Sequence, residues 1–115
     1  LQDIVKTIED LDSVAVSLPD LLRGARGQTV TSNARAIAEL SELLKLEVLL
    51  DKPRAEVVAS ALRLLTLIKQ TSLLVSSSRV GHEERVAMSL AEALASKLHK
   101  LLKDWAKESQ APTAS

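Results

Sequence analysis

The residues of this chain that could perform metal or nucleophilic chemistry are few. It holds two histidines, His82 and His99, and no cysteine. The stretch HEERV, residues 82–86, opens like the helix of a zinc protease, in which two histidines one turn apart hold the metal and the glutamate acts as base. Val86 stands where the second histidine is required. A zinc site would then need carboxylates from separate helices, because no thiolate is available. Exposed histidines are the expectation. GARGQT, residues 24–29, lacks the glycine spacing and the lysine of a phosphate loop. Serines are plentiful, but none has an adjacent base that sequence can identify. The chain is therefore expected to work without catalysis, metal or cofactor.

The cations offer binding chemistry instead. RGARG, residues 23–27, could touch phosphate, but it holds two arginines and no aromatic residue for stacking on bases. Fifteen basic side chains balance fifteen acidic ones, so no long-range field draws the chain to nucleic acid or to an anionic membrane. SSSR, residues 76–79, reads as a polar loop before it reads as a phosphorylation site. Lys52 and Arg54 fall in one interhelix junction, and Lys69, Arg79 and Arg85 surround another. These five could rim an apolar cleft for an acidic ligand, or serve as ordinary surface charges.

Helices must position all of these groups. Leu, Ala, Val and Ile supply nearly all the apolar content, and three glycines and three prolines leave little turn chemistry. Such a composition predicts few, long helices and one all-α domain, a compact bundle of four or five helices over residues 1–107. Residues 108–115, polar and proline-containing, read as a disordered tail. No apolar run is expected to approach the ~20 residues that cross a bilayer. The chain starts at Leu1, which suggests a fragment of a longer protein.

The first helix is expected over residues 1–16, with Ile4, Ile8, Leu11 and Ala15 on one face. Pro19 then interrupts, and Ser17 is placed to cap a short turn over 19–26. Gly27 is a plausible stop. A second helix should begin at Ser32 or Asn33 and end between Leu46 and Leu50. Asp51 is placed to cap a third helix over 53–75, with Pro53 in its first turn. This third helix is apolar almost all round, which predicts a central, buried position. Residues 71–78 read equally as frayed helix, loop or the start of another helix, and 71–84 should be the least protected interior stretch.

The last helix is the clearest. At 100° per residue, Leu90, Leu94, Leu98, Leu101 and Trp105 share an arc of about 80°. Trp105, the sole aromatic residue, extends that stripe and should close one end of the bundle. Lys100, Lys103 and Lys107 line another, solvated face and suit the negative end of the helix dipole.

These spacings resemble the N-terminal (LW) domain of transcription elongation factor S-II and its relatives, including the LEDGF integrase-binding domain. LSELLKLEV supplies Leu40, Leu43, Leu46 and Val48; Val58, Leu62 and Leu65 follow at the family's offsets. Leu98, Leu101 and Trp105 take the places of its small residue, Leu and Trp. Glu47 stands where the family usually has proline, and Ala106 where it has lysine or arginine. The resemblance covers about residues 34–107. It implies that all ten residues are framework, and that loops and helix ends dock disordered motifs of nuclear proteins carrying a Phe and nearby acidic residues. It also implies a nuclear setting in transcription elongation or chromatin. The competing expectation, drawn from the apolar third helix, is a structural or assembly domain that self-associates or packs on a neighbour.

Overall fold

A computed structural model describes residues 2–23, 28–76 and 81–110. They form four α-helices, α1 (Gln2–Leu21), α2 (Gln28–Leu49), α3 (Arg54–Ser76) and α4 (His82–Gln110). Each buries a seam at alternating steps of four and three residues. The seam runs Ile4, Ile8, Leu11, Ala15, Leu18 in α1 and Val30, Ala34, Ile37, Ser41, Leu44 in α2. In α3 it is Val57, Ala61, Leu64, Ile68, Thr71, Val75, and in α4 Met88, Ala91, Ala95, Leu98, Leu102. A mean repeat of 3.5 residues keeps one seam facing its neighbours along the whole length of a left-handed bundle. Each helix packs on two neighbours, in the ring order α1, α2, α3, α4, and the diagonal pairs stay apart. The protein is thus an all-α, four-helix, up-and-down bundle.

Polar contacts tie adjacent helices together. The Ser41 hydroxyl donates to Asp12 at 3.1 Å, the Ser60 hydroxyl to Glu47 at 3.1 Å, and Arg54 to the Trp105 carbonyl at 2.6 Å. Among the described residues no buried side-chain polar atom lacks a partner.

Several boundaries differ from the sequence expectation. α1 continues through Pro19 to Leu21. Proline in a helix interior costs about 3 kcal/mol. Leu18 and Leu22, fully buried on either side of it, each contribute about 1.5–3 kcal/mol and keep the seam going. Ser17 is consequently no cap; its hydroxyl donates back to the Val14 carbonyl at 2.6 Å. α2 starts at Gln28, not at Ser32 or Asn33, because Val30 takes the seam position before Ala34 and is buried. Gly27, proposed as a stop, lies outside the described residues.

Asp51 caps the end of α2, not the start of α3. Its φ is 57°. The Asp51 amide donates to the Val48 carbonyl and the Lys52 amide to the Glu47 carbonyl, at 3.2 and 3.0 Å. This is the Schellman closure, with aspartate in the left-handed position that glycine usually fills. Pro53 then offers its carbonyl to the amides of Glu56 and Val57, satisfying two of α3's free donors.

α3 is one corner of the ring and has an exposed side, contrary to the central position expected of it. Leu62 and Leu73 are 49% and 72% exposed. Residues 71–76 are helix, with Thr71 and Val75 buried, so the expected weak stretch is in part an integral helical turn. α3 is also long and apolar enough, by length and composition alone, to cross a membrane; here its seam belongs to the bundle.

The buried stripe of α4 is rotated by about 80° from the one read from its leucines. Leu98 is buried, Leu94, Leu101 and Trp105 flank the core half-buried, and Leu90 is 47% exposed. Ala91 and Ala95 hold the seam instead, and a reading weighted toward large side chains passes over them. α4 also runs to Gln110, so residues 108–110 are helical; residues 111–115 of the expected tail lie outside the described residues.

Candidate interaction surface

α3 carries a second heptad stripe, offset from its buried seam. Ala55, Ala59, Leu62, Thr66, Lys69 and Leu73 repeat at steps of four and three, and all are exposed. Leu43 and Leu46 on α2, and Leu50 just past its end, are at least half exposed. Between the two helices lies an open groove of about 570 Å³, lined by Leu40 of α2 and by Ala59, Leu62, Arg63, Thr66, Leu67 and Gln70 of α3. Exposed apolar patches on folded chains are candidates for interaction surfaces.

Arg63 is the one charged residue in its lining. On α2, Glu39, Leu43, Glu47 and Leu50 share an outward arc of about 80°. On α3, Arg63 and Lys69 bracket Leu62 and Thr66. Among the described residues the chain forms one ion pair, exposed Arg23 with Asp20 at 2.7 Å. Glu39, Arg63 and Lys69 thus have no ionic partner within it. Glu47 accepts only the Ser60 hydroxyl.

Of the five cations expected to rim a cleft, the four that lie among the described residues do not converge. Lys52 is exposed in the α2–α3 turn. Arg54 is half-buried and occupied: its guanidinium lies 4.3 Å from the centroid of the Trp105 ring and donates to the Trp105 carbonyl. Arg85, exposed in the first turn of α4, is twenty residues from Trp105, about 30 Å along the helix. It lines a hollow with His82, Val86, Ser89 and Leu90, at the other end of the bundle from Arg54. Lys69 is exposed toward the C-terminal end of α3, near enough to α4 for its charge to act on His99, and Arg79 lies outside the described residues. Sequence reasoning missed Arg63 and the groove beside it. The signal lies in α3's all-round apolar character, which exceeds what one buried seam requires.

The framework residues implied by the resemblance divide. Leu65 and Leu98 are buried, and Leu40, Val48, Val58, Leu101 and Trp105 pack half-buried against the core. Leu43, Leu46 and Leu62 instead face solvent, because the α2 and α3 seams pass through Ser41, Leu44, Ala61 and Leu64.

The histidines stand apart on α4. His99 is half-buried. Its pKa is pushed below 6.5 by burial and by the positive charges of Lys103 and Lys69. Neither histidine is hydrogen-bonded to a serine or a carboxylate. Among the described residues no three His, Asp or Glu side chains gather as a metal site would require. Comparison of the chain with protein-family models, with curated proteins and with solved structures finds no match.

Proposed function

We propose that this chain is a non-catalytic assembly domain that buries its α2/α3 face against another folded helical surface. The observation that carries this reading is the apolar groove with Leu43 and Leu62 exposed beside it, at heptad spacing suited to helix packing. The chain has no cysteine, so a single thiol introduced at Leu62→Cys reports on that face. Its labelling should be slow, relative to a Lys103→Cys control, in the concentrated chain. Labelling at the free-thiol rate there defeats the reading.

A second reading follows from the LW-like spacing together with Arg63 in the groove. Here the same face docks disordered, Phe-bearing acidic motifs of transcription-elongation or chromatin factors, in the nucleus. Arg63 and Lys69 would replace the scattered cations as the acidic ligand's partners. Titration of isotope-labelled chain with such peptides, read at Leu62 and Arg63, separates this from assembly: shifts that saturate in the micromolar range favour docking.

A further inference from the structure

The zero net charge of the chain is divided unevenly between its two helical hairpins. Residues 1–51 carry nine acidic and five basic side chains, and residues 52–115 carry six and ten. Cations gather where α3 and α4 adjoin. On α3, Leu62, Lys69 and Leu73 share an arc of about 40°, and all three are exposed. Glu56, the one carboxylate of α3, and Arg63 lie about 110° round the helix from them, toward α2. On α4, Glu83, Ala87 and Leu90 share a hollow with Val14 of α1, so that side meets α1 and the far side turns to α3. Arg85, His99, Lys100, Lys103 and Lys107 share an arc of about 100° on the far side, with Glu92 as its one carboxylate. Glu92 is half-buried, whereas Lys69, Lys100, Lys103 and Lys107 are exposed. Lys69 and Lys103 both push the His99 pKa down, so positive charge from the two helices converges at their junction.

We infer that this α3/α4 face lies flat on a lipid bilayer surface rich in anionic phospholipid, with Leu73, and Leu62 beside it, entering the boundary of the acyl chains. The inference is separate from the assembly reading, which concerns the α2/α3 face. Charge and shape together name the occupant. The cations from Arg85 to Lys107 span about 33 Å along α4, and the exposed α3 stripe runs beside them, so a plane parallel to the bundle axis meets both. Anionic headgroups attract lysines held near them, and leucines beside lysines on one helical face suit the boundary between headgroups and acyl chains. Leu73 is 72% exposed and gains an apolar environment there. A nucleic-acid backbone would meet the same cations but leave Leu62 and Leu73 in water, and the sole aromatic ring is already covered by Arg54.

The test is co-sedimentation of the chain with vesicles of phosphatidylcholine alone and of phosphatidylcholine with phosphatidylserine. The chain should associate with the second kind only, and should be released at about 1 M salt, where the Debye length falls to about 3 Å. Lys100→Gln, Lys103→Gln and Lys107→Gln together should lower the partitioning about a hundredfold, each lysine near the surface being worth about fivefold. Lys6→Gln, Arg23→Gln and Arg35→Gln together remove the same charge from the α1/α2 side and should lower it far less. In a second measurement, an environment-sensitive fluorophore on Leu73→Cys should shift to the blue on the phosphatidylserine vesicles, and one on Asp10→Cys of α1 should not. No association with the anionic vesicles, equal losses in the two triple variants, or an unmoved fluorophore at Leu73→Cys overturns the inference. Tighter binding to duplex DNA than to these vesicles at the same salt also overturns it and gives the face to a nucleic acid.

Discussion

The guanidinium of Arg54, at the start of α3, lies 4.3 Å from the ring centroid of Trp105, near the end of α4, and its Nη1 donates to the Trp105 carbonyl at 2.6 Å. One side chain thus covers an aromatic face and adds a charged hydrogen bond to a carbonyl near the end of the longest helix. The contact joins the opening of one helix to the closing of its antiparallel neighbour.

Truncating either partner should loosen that end of the bundle. Trp105→Ala is expected to cost about 2–3 kcal/mol, less than a fully buried ring because Trp105 is half-exposed. Arg54→Ala should cost about 1–2 kcal/mol, from the cation–π contact and the charged hydrogen bond together. Urea unfolding of both variants and of the double variant gives a cycle, in which a coupling of about 1 kcal/mol is expected. Strictly additive losses would mean that the two residues act separately.

Asp51 sits at φ 57°, where an L side chain crowds its own backbone at about 1–2 kcal/mol, less for aspartate. Asp51→Gly should therefore stabilise the chain by about 0.5–1 kcal/mol, read as a higher melting temperature. Asp51→Val should lower it, because a β-branched residue tolerates this conformation worst. Equal melting of all three forms would show that the turn relaxes at no cost.

Ala91 and Ala95 occupy the α4 seam with almost no exposed surface. Enlarging either to leucine inserts a side chain where neighbouring helices already touch. Ala91→Leu should destabilise by about 1–3 kcal/mol, measured by chemical denaturation. Leu90→Ala, at a half-exposed site on the face first read as the core stripe, should cost less than 1 kcal/mol. The reverse order would restore the leucine stripe as the true seam.

His99 links stability to pH. Burial, then Lys103 and Lys69, hold its folded pKa below 6.5. The unfolded chain takes up this proton at a higher pH than the folded one, so the folded state loses stability as pH falls below about 6.5, and the loss is absent above it. An NMR titration should find the His99 midpoint below the free-histidine value. Lys103→Gln should move it upward, and His99→Gln should remove this part of the stability profile. A midpoint unmoved by Lys103→Gln would remove Lys103 from the causes and leave burial and Lys69.

Ile4, Ile8, Leu11 and Ala15 show how much a local pattern determines. Their spacing alone establishes a helix and the face it buries, because side-chain direction follows from backbone geometry and no distant residue is needed. The all-α class and the helix-rich composition were legible for the same reason. Leu62 and Leu64 show the limit. Both are leucines of one apolar helix, yet Leu64 is 1% exposed and Leu62 is 49% exposed. Which of them is buried depends on the side from which α2 and α4 approach α3, and no window of α3's own sequence carries that information. Trp105 is similar: its stripe placed it near the core, but only the fold brings Arg54 onto its ring, from 51 residues away in the chain. The groove exists only once the packing of α2 on α3 brings Leu40 beside Ala59, Leu62 and Arg63. Local periodicity thus determined the helices, while their mutual rotation, a property of four seams packed together, decided which residues were left exposed.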